Sequence, residues 1–144
     1  MANEIVVTGT NTQVGLVNPK KAIVKSYIAA VAISAGQAVY INSSGNVALA
    51  SAAASDALSQ FRGIALQTVG AGQAVDVVEE GEVAGFTLTA VAYGGPVFLH
   101  DTAGVLADAT GGSTSNCIVG DCVPMADNDR TKVLHVHVAR ELSW

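Results

Sequence analysis

Apolar and polar positions alternate along much of the chain with a period of two, the spacing that puts successive side chains on opposite faces of a β-strand. The clearest run is "AGQAVYINSSGNVALA", residues 35–50. It returns as "AGQAVDVVEEGEVAGF", residues 71–86, and more loosely as "GGPVFLHDTAGVLADA", residues 94–109. Aligned on the first glycine, Gly36, Val39 and Ile41 match Gly72, Val75 and Val77, and then Gly94, Val97 and Leu99. Each copy next meets a polar segment holding a second glycine, Gly45, Gly81 or Gly104. Apolar residues then resume: Val47 and Leu49, Val83 and Phe86, Val105 and Leu106. Two β-compatible runs around a glycine predict a hairpin, so "NSSGN", "EEGE" and "HDTAG" are expected to be three turns.

The copies start at unequal intervals, which excludes a solenoid or propeller, since those need a steady period. A larger echo is present: the first copy leads to "RGIALQTV" from Arg62 and the third to "VGDCVPMA" from Val119, so Gly63 and Gly120 take similar places. Hairpin, connection and buried strand, occurring twice, fit a mainly β fold: a small β-barrel or β-sandwich built from glycine-turn hairpins around one core. One short helix is expected in "SAAASDALSQFRG". There Ser55 or Asp56 can cap the first turn, Leu58 and Phe61 share a face, and Gly63 ends it. In "AIVKSYIAAVAIS" alanine favours helix, but Ile23, Val24, Tyr27, Val31 and Ile33 favour a strand, and a strand is expected. Residues 1–20 predict an N-terminal strand and extended arm, and residues 21–144 a single β-rich core domain. "DATGGSTSN", residues 108–116, has the composition of a surface connection. The closing "TKVLHVHVARELSW" predicts a strand with Leu134, Val136 and Val138 on one face and Val133, His135 and His137 on the other.

Composition sharpens this picture. Half the 144 residues are hydrophobic, but 13% are charged, against about 25% in ordinary soluble domains, so disorder is not the main state. With 5% aromatic residues, the core is built from Val, Ile, Leu and Ala. A net charge of -5 and seven scattered Lys and Arg residues argue against a nucleic-acid partner. The densest basic spot, Lys20, Lys21 and Lys25, reads as a solvated strand edge. "MANEIVVTGT" lacks a charged segment followed by an apolar one, so synthesis in the cytoplasm without a secretory signal is expected. The longest apolar run, Tyr27 to Ile33, falls far short of the ~18 residues that would indicate a transmembrane helix, and no membrane partner is expected. Cys117 and Cys122 have four residues between them, neither CxxC nor a disulfide framework, and read as small core hydrophobes.

Candidate chemistry is sparse. His135 and His137, two apart on a strand, point the same way and offer two nitrogens to a metal, with His100 and Asp101 as a means of completing the set. Zinc normally takes four ligands, and structural sites usually include Cys, so ordinary strand-face or subunit-contact histidines are the expected reading. Glu79, Glu80 and Glu82 lack the alternating oxygen ligands of a calcium loop and read as a solvated hairpin tip. Asp127, Asn128 and Asp129 read as a turn whose side chains cap their own backbone. No GxSxG, HExxH, phosphate loop or dinucleotide fingerprint occurs, so no catalytic residue, cofactor or small-molecule substrate is expected. Trp144, the single tryptophan, stands last in the chain, where it either packs on its own domain or anchors a neighbouring subunit.

The stretch "AGQAVYINSSGNVALASAAASDALSQFRGIALQTVGAGQAVDVVEEGEVAGF", followed by "GGPVFLHDTAGVLADA", resembles the capsid cement, or head decoration, proteins of tailed bacteriophages. Gly36, Val39, Gly45, Gly63, Gly72, Val75 and Gly81 carry the resemblance, which spans roughly residues 30 to 125 and leaves out the N-terminal arm and "HVHVARELSW". It implies a β-rich homotrimer on the outer surface of the virion head that binds the major capsid protein and ties capsomers together against packaged DNA. Trp144, His135 and His137 are then candidates for the oligomer or capsid interface. The competing reading is another non-enzymatic structural subunit, of a tail or appendage. A metal enzyme using the histidines is a more distant rival.

Overall fold

The structure, a computed structural model, describes residues 4–5, 15–17, 19–52, 60–108, 117–125 and 130–137. Its strands are β1 (Glu4–Ile5), β2 (Gly15–Leu16), β3 (Ile23–Ile28), β4 (Ala38–Ile41), β5 (Val47–Leu49), β6 (Gly63–Ala65), β7 (Ala74–Ala84), β8 (Pro96–Leu99), β9 (Leu106–Ala107), β10 (Ile118–Pro124) and β11 (Lys132–His137). They form one curled, barrel-like antiparallel sheet in the order β1-β9-β8-β10-β11-β7-β6-β4-β5, with β2 and β3 also paired to β7. Among the described residues no helix is long and apolar enough to cross a membrane.

The repeated segment has one local meaning in all three places. Its first glycine takes a positive φ, 90° at Gly36, 86° at Gly72 and 77° at Gly94. Each is third in a four-residue turn closed by a backbone hydrogen bond: Gln37 N–H to the Ser34 carbonyl, Gln73 to Gly70, Gly95 to Ala92. A positive φ at that position makes the turn type II, which a residue bearing a Cβ enters only at a cost. In the two copies spelling "AGQAV" the glutamine clasps the turn. Ser34 N–H donates to Gln37 Oε1 at 2.8 Å and Gly70 N–H to Gln73 Oε1 at 2.7 Å. The following valines then enter strands with their side chains buried.

Two of the three expected hairpins form: β4 returns as β5 through "NSSGN", and β8 returns as β9 through "HDTAG". The second copy does not. "EEGE" is no turn but the middle of β7, eleven residues long, and Glu80 and Glu82 lie on a strand rather than at a hairpin tip. The physical reason is that β7 has strand partners on both edges, on either side of this stretch and within it. β3 and β2 lie along one edge; β6, at Val77 and Val78, and β11, at Glu80 to Val83, lie along the other. Gly81 serves close approach instead of reversal, since a Cβ there would stand 2.8 Å from that of Ala22.

β7 also divides the interior. From it the sheet runs through β6 and β4 to β5, and Val47 then bridges Ala29 just beyond β3, with Ala30 N–H donating to the Val47 carbonyl at 2.8 Å. That ring encloses a small core of Ala29, Ile33, Val39, Val47, Ala65, Val75 and Val77. The larger core lies beyond it and includes Ile64, Val78, Val97, Leu99, Leu134 and Val136. Gly63 and Gly120, matched in the sequence, share a physical role: a Cβ would come within 2.4 Å of the Val78 carbonyl oxygen at one and 2.0 Å of the His135 carbonyl oxygen at the other. "AIVKSYIAAVAIS" supplies the strand β3, as expected. The expected helix falls mostly on residues 53–59, outside those described. Gln60 to Arg62 are not helical, and the helical element among the described residues is a 3-10 turn at Pro19–Lys21.

Candidate functional site

The most chemically endowed surface is the outer face of β10, β11 and the second half of β7. Along β11, Leu134 and Val136 are fully buried, so alternation turns His135 and His137 outward, where both are half-buried. Register then assembles the rest. Asp121 of β10 stands opposite His135, Glu82 of β7 faces His135 from the other side, and Glu80 stands opposite His137. Directly opposite residues share a face, so five polar side chains gather across three strands. His137 Nε2 is 3.4 Å from Asp121 Oδ2, and the two imidazole centroids are 5.3 Å apart with planes tilted by 46°. One ligand atom each from Asp121, His135 and His137 lie within 4.8 Å of one another.

The sequence located both histidines but supplied the wrong companion. His100 is held in the β8–β9 turn, where its Nδ1 accepts the Thr102 N–H at 2.9 Å, and neither it nor Asp101 belongs to this group. Asp121 was missed because only the β10–β11 register brings it to the histidines. Its signal was a carboxylate at an outward position of the otherwise apolar "IVGDCVP". Trp144 and the cluster Asp127, Asn128 and Asp129 lie outside the described residues.

A second polar cluster gathers around Glu79 of β7. The Glu79 side chain, 13% exposed, accepts the Tyr27 hydroxyl and the Arg62 Nε–H at 3.3 Å and pairs with Lys25 at 3.5 Å. Burial pushes the Glu79 carboxyl up, but the Tyr27 hydrogen bond and the Arg62 and Lys25 charges together outweigh it and hold the carboxyl below its usual range. The Tyr27 hydroxyl moves the opposite way, raised by burial and by its bond to the carboxylate. These groups tie β3 and Arg62, the residue just before β6, to β7. Cys122 is fully buried, and Cys117 packs against the same core with no disulfide between them. Burial raises the Cys122 thiol further from reactivity, as expected of a core hydrophobe.

The remaining feature is apolar. Ile23, Val24, Ile28 and Val31 are exposed on or just beyond β3, which among the described residues pairs along its length with β7 alone. The fifth large exposed hydrophobic, Tyr93, instead carries Arg130 4.4 Å and Lys132 5.2 Å from its ring centroid. No family model, curated protein or solved structure matches the chain.

Proposed function

We propose that the protein is a structural, non-enzymatic virion subunit, a capsid cement protein that binds the outer surface of a phage head as a homotrimer and bridges units of the major capsid protein. The observation that carries this reading is the concentration of four exposed aliphatic side chains, Ile23, Val24, Ile28 and Val31, at one sheet edge of a β-rich body. A clustered apolar surface of this kind is unusual on a protein that works alone. An edge strand adds to it a row of backbone donors and acceptors able to pair with a neighbouring chain. The acidic, low-charge composition and the sequence resemblance point the same way. Modest contacts suffice in such a role, because engaging several capsomers at once multiplies them.

The test is to mix purified protein with phage heads lacking it, sediment the heads and image them, with light scattering on the free protein. A soluble trimer that sediments with heads, and an Ile23→Asp, Ile28→Asp double variant that keeps its fold but binds at least about tenfold more weakly, are the expected results. Failure to bind heads at any salt concentration overturns the reading. Assembly into rings or tubes replaces it with a tail or appendage subunit.

A further inference from the structure

We propose that Asp121, His135 and His137 bind a single divalent transition ion of borderline softness, of which Zn²⁺ is the reference case. This inference is independent of the capsid reading. Two imidazole nitrogens and one carboxylate oxygen are donors suited to zinc, nickel, cobalt and iron, whereas calcium and magnesium call for a shell of oxygens. The spacing fits as well. In a tetrahedral site with bonds of about 2.0–2.2 Å the donors stand roughly 3.3–3.6 Å apart. His137 Nε2 and Asp121 Oδ2 are already 3.4 Å apart, and one donor atom from each of the three residues lies within 4.8 Å of the other two, so modest side-chain rotation is all that a shared ion requires.

The backbone beneath the cluster is strand, with one shift in the β10–β8 register between Ile118 and Gly120. Five consecutive register pairs join β10 to β11, from Gly120 opposite Val136 to Pro124 opposite Lys132, and His137 pairs with Glu80 of β7, so the three donors project from paired strands and not from a loop. The surroundings favour a cation. Glu82 and Glu80 stand opposite His135 and His137 on β7, adding two carboxylates to that of Asp121 on the same face. An ordinary His–Asp ion pair accounts for His137 and Asp121 but gives no role to His135, whose ring is tilted against that of His137. A shared ion engages all three groups. With three protein donors the ion keeps at least one further position for water, and its effect on the protein is to fasten β10 to β11 across the outer face.

The experiment uses the full chain, stripped with a chelator and titrated calorimetrically with zinc chloride, together with Co²⁺ titration followed by visible absorption. Expected are one equivalent per chain, a Co²⁺ spectrum of low coordination number that Zn²⁺ abolishes, and a zinc-dependent rise in the unfolding temperature. His135→Ala, His137→Ala and Asp121→Asn each weaken binding by at least about tenfold, whereas His100→Ala leaves it unchanged. Circular dichroism in chelator verifies that each variant folds. Asp121→Asn, nearly isosteric, carries the test if a histidine variant does not fold. Absence of stoichiometric binding to the wild type overturns the proposal, as does retention of full affinity by folded Asp121→Asn or an equal loss in His100→Ala.

Discussion

The two segments that spell "AGQAV" begin alike and end differently. Both form the same glycine-centred turn with the same glutamine clasp, and both launch a strand. Counting on from that turn, the first copy reaches Asn42, whose side-chain oxygen accepts the Ser44 N–H at 3.0 Å and the Asn46 N–H at 3.1 Å and folds the chain back. The second copy has Val78 at the matching place, fully buried in the larger core, and next to it Glu79, gripped by Tyr27, Arg62 and Lys25. The chain runs straight on. Local chemistry therefore writes the turn that starts each unit, while tertiary partners decide whether the strand reverses.

The contrast is broken most severely at Val78. Val78→Asn gives the second copy the side chain that reverses the first and leaves an amide in an apolar interior, so a loss of about 4 kcal/mol is expected. Urea unfolding followed by circular dichroism measures it, and wild-type stability in this variant would refute the assignment of strand length to core burial. Next comes Glu79→Gln, expected to cost about 2 kcal/mol at neutral pH by removing a charged acceptor from three donors. The pH dependence has a definite sign. The folded carboxyl is held below the usual value of 4.5, so its contribution is complete above that pH and is lost as pH falls through the folded value. Unfolding curves of wild type and variant should therefore converge in acid. The smallest effect sharpens the similarity instead: Gly72→Ala places its new carbon in open space, so only the positive φ opposes it, at about 1 kcal/mol. A thermal melt shifted by only a few degrees is the expected readout.

Much of this architecture was legible from residues alone because its information is local. Period-two alternation marked β4, β8 and β11, the β-branched and aromatic residues of "AIVKSYIAAVAIS" marked β3, and the turn glycines marked two hairpins correctly. "EEGE" misled because a glycine between polar residues signals reversal only when the flanking strand lacks partners elsewhere, and those partners, β3 and β11, come from distant parts of the chain. The cluster at His135 and His137 was half visible for the same reason. Their shared face follows from spacing within one strand, but Asp121 joins them only through a cross-strand register that no local pattern encodes.

The way β3 is fastened has a mechanical side. Five consecutive register pairs, from Val24 opposite Val78 to Ile28 opposite Ala74, join it to β7, and a sixth, Ile23 opposite Glu80, follows beyond a shift in register. A pull along its length loads all of those bonds together in shear. Among the described residues the seam at Ala29 and Val47 is an isolated bridge, so a force prising β5 outward there meets a single link. The body is stiff against sliding and yields first by peeling at that seam.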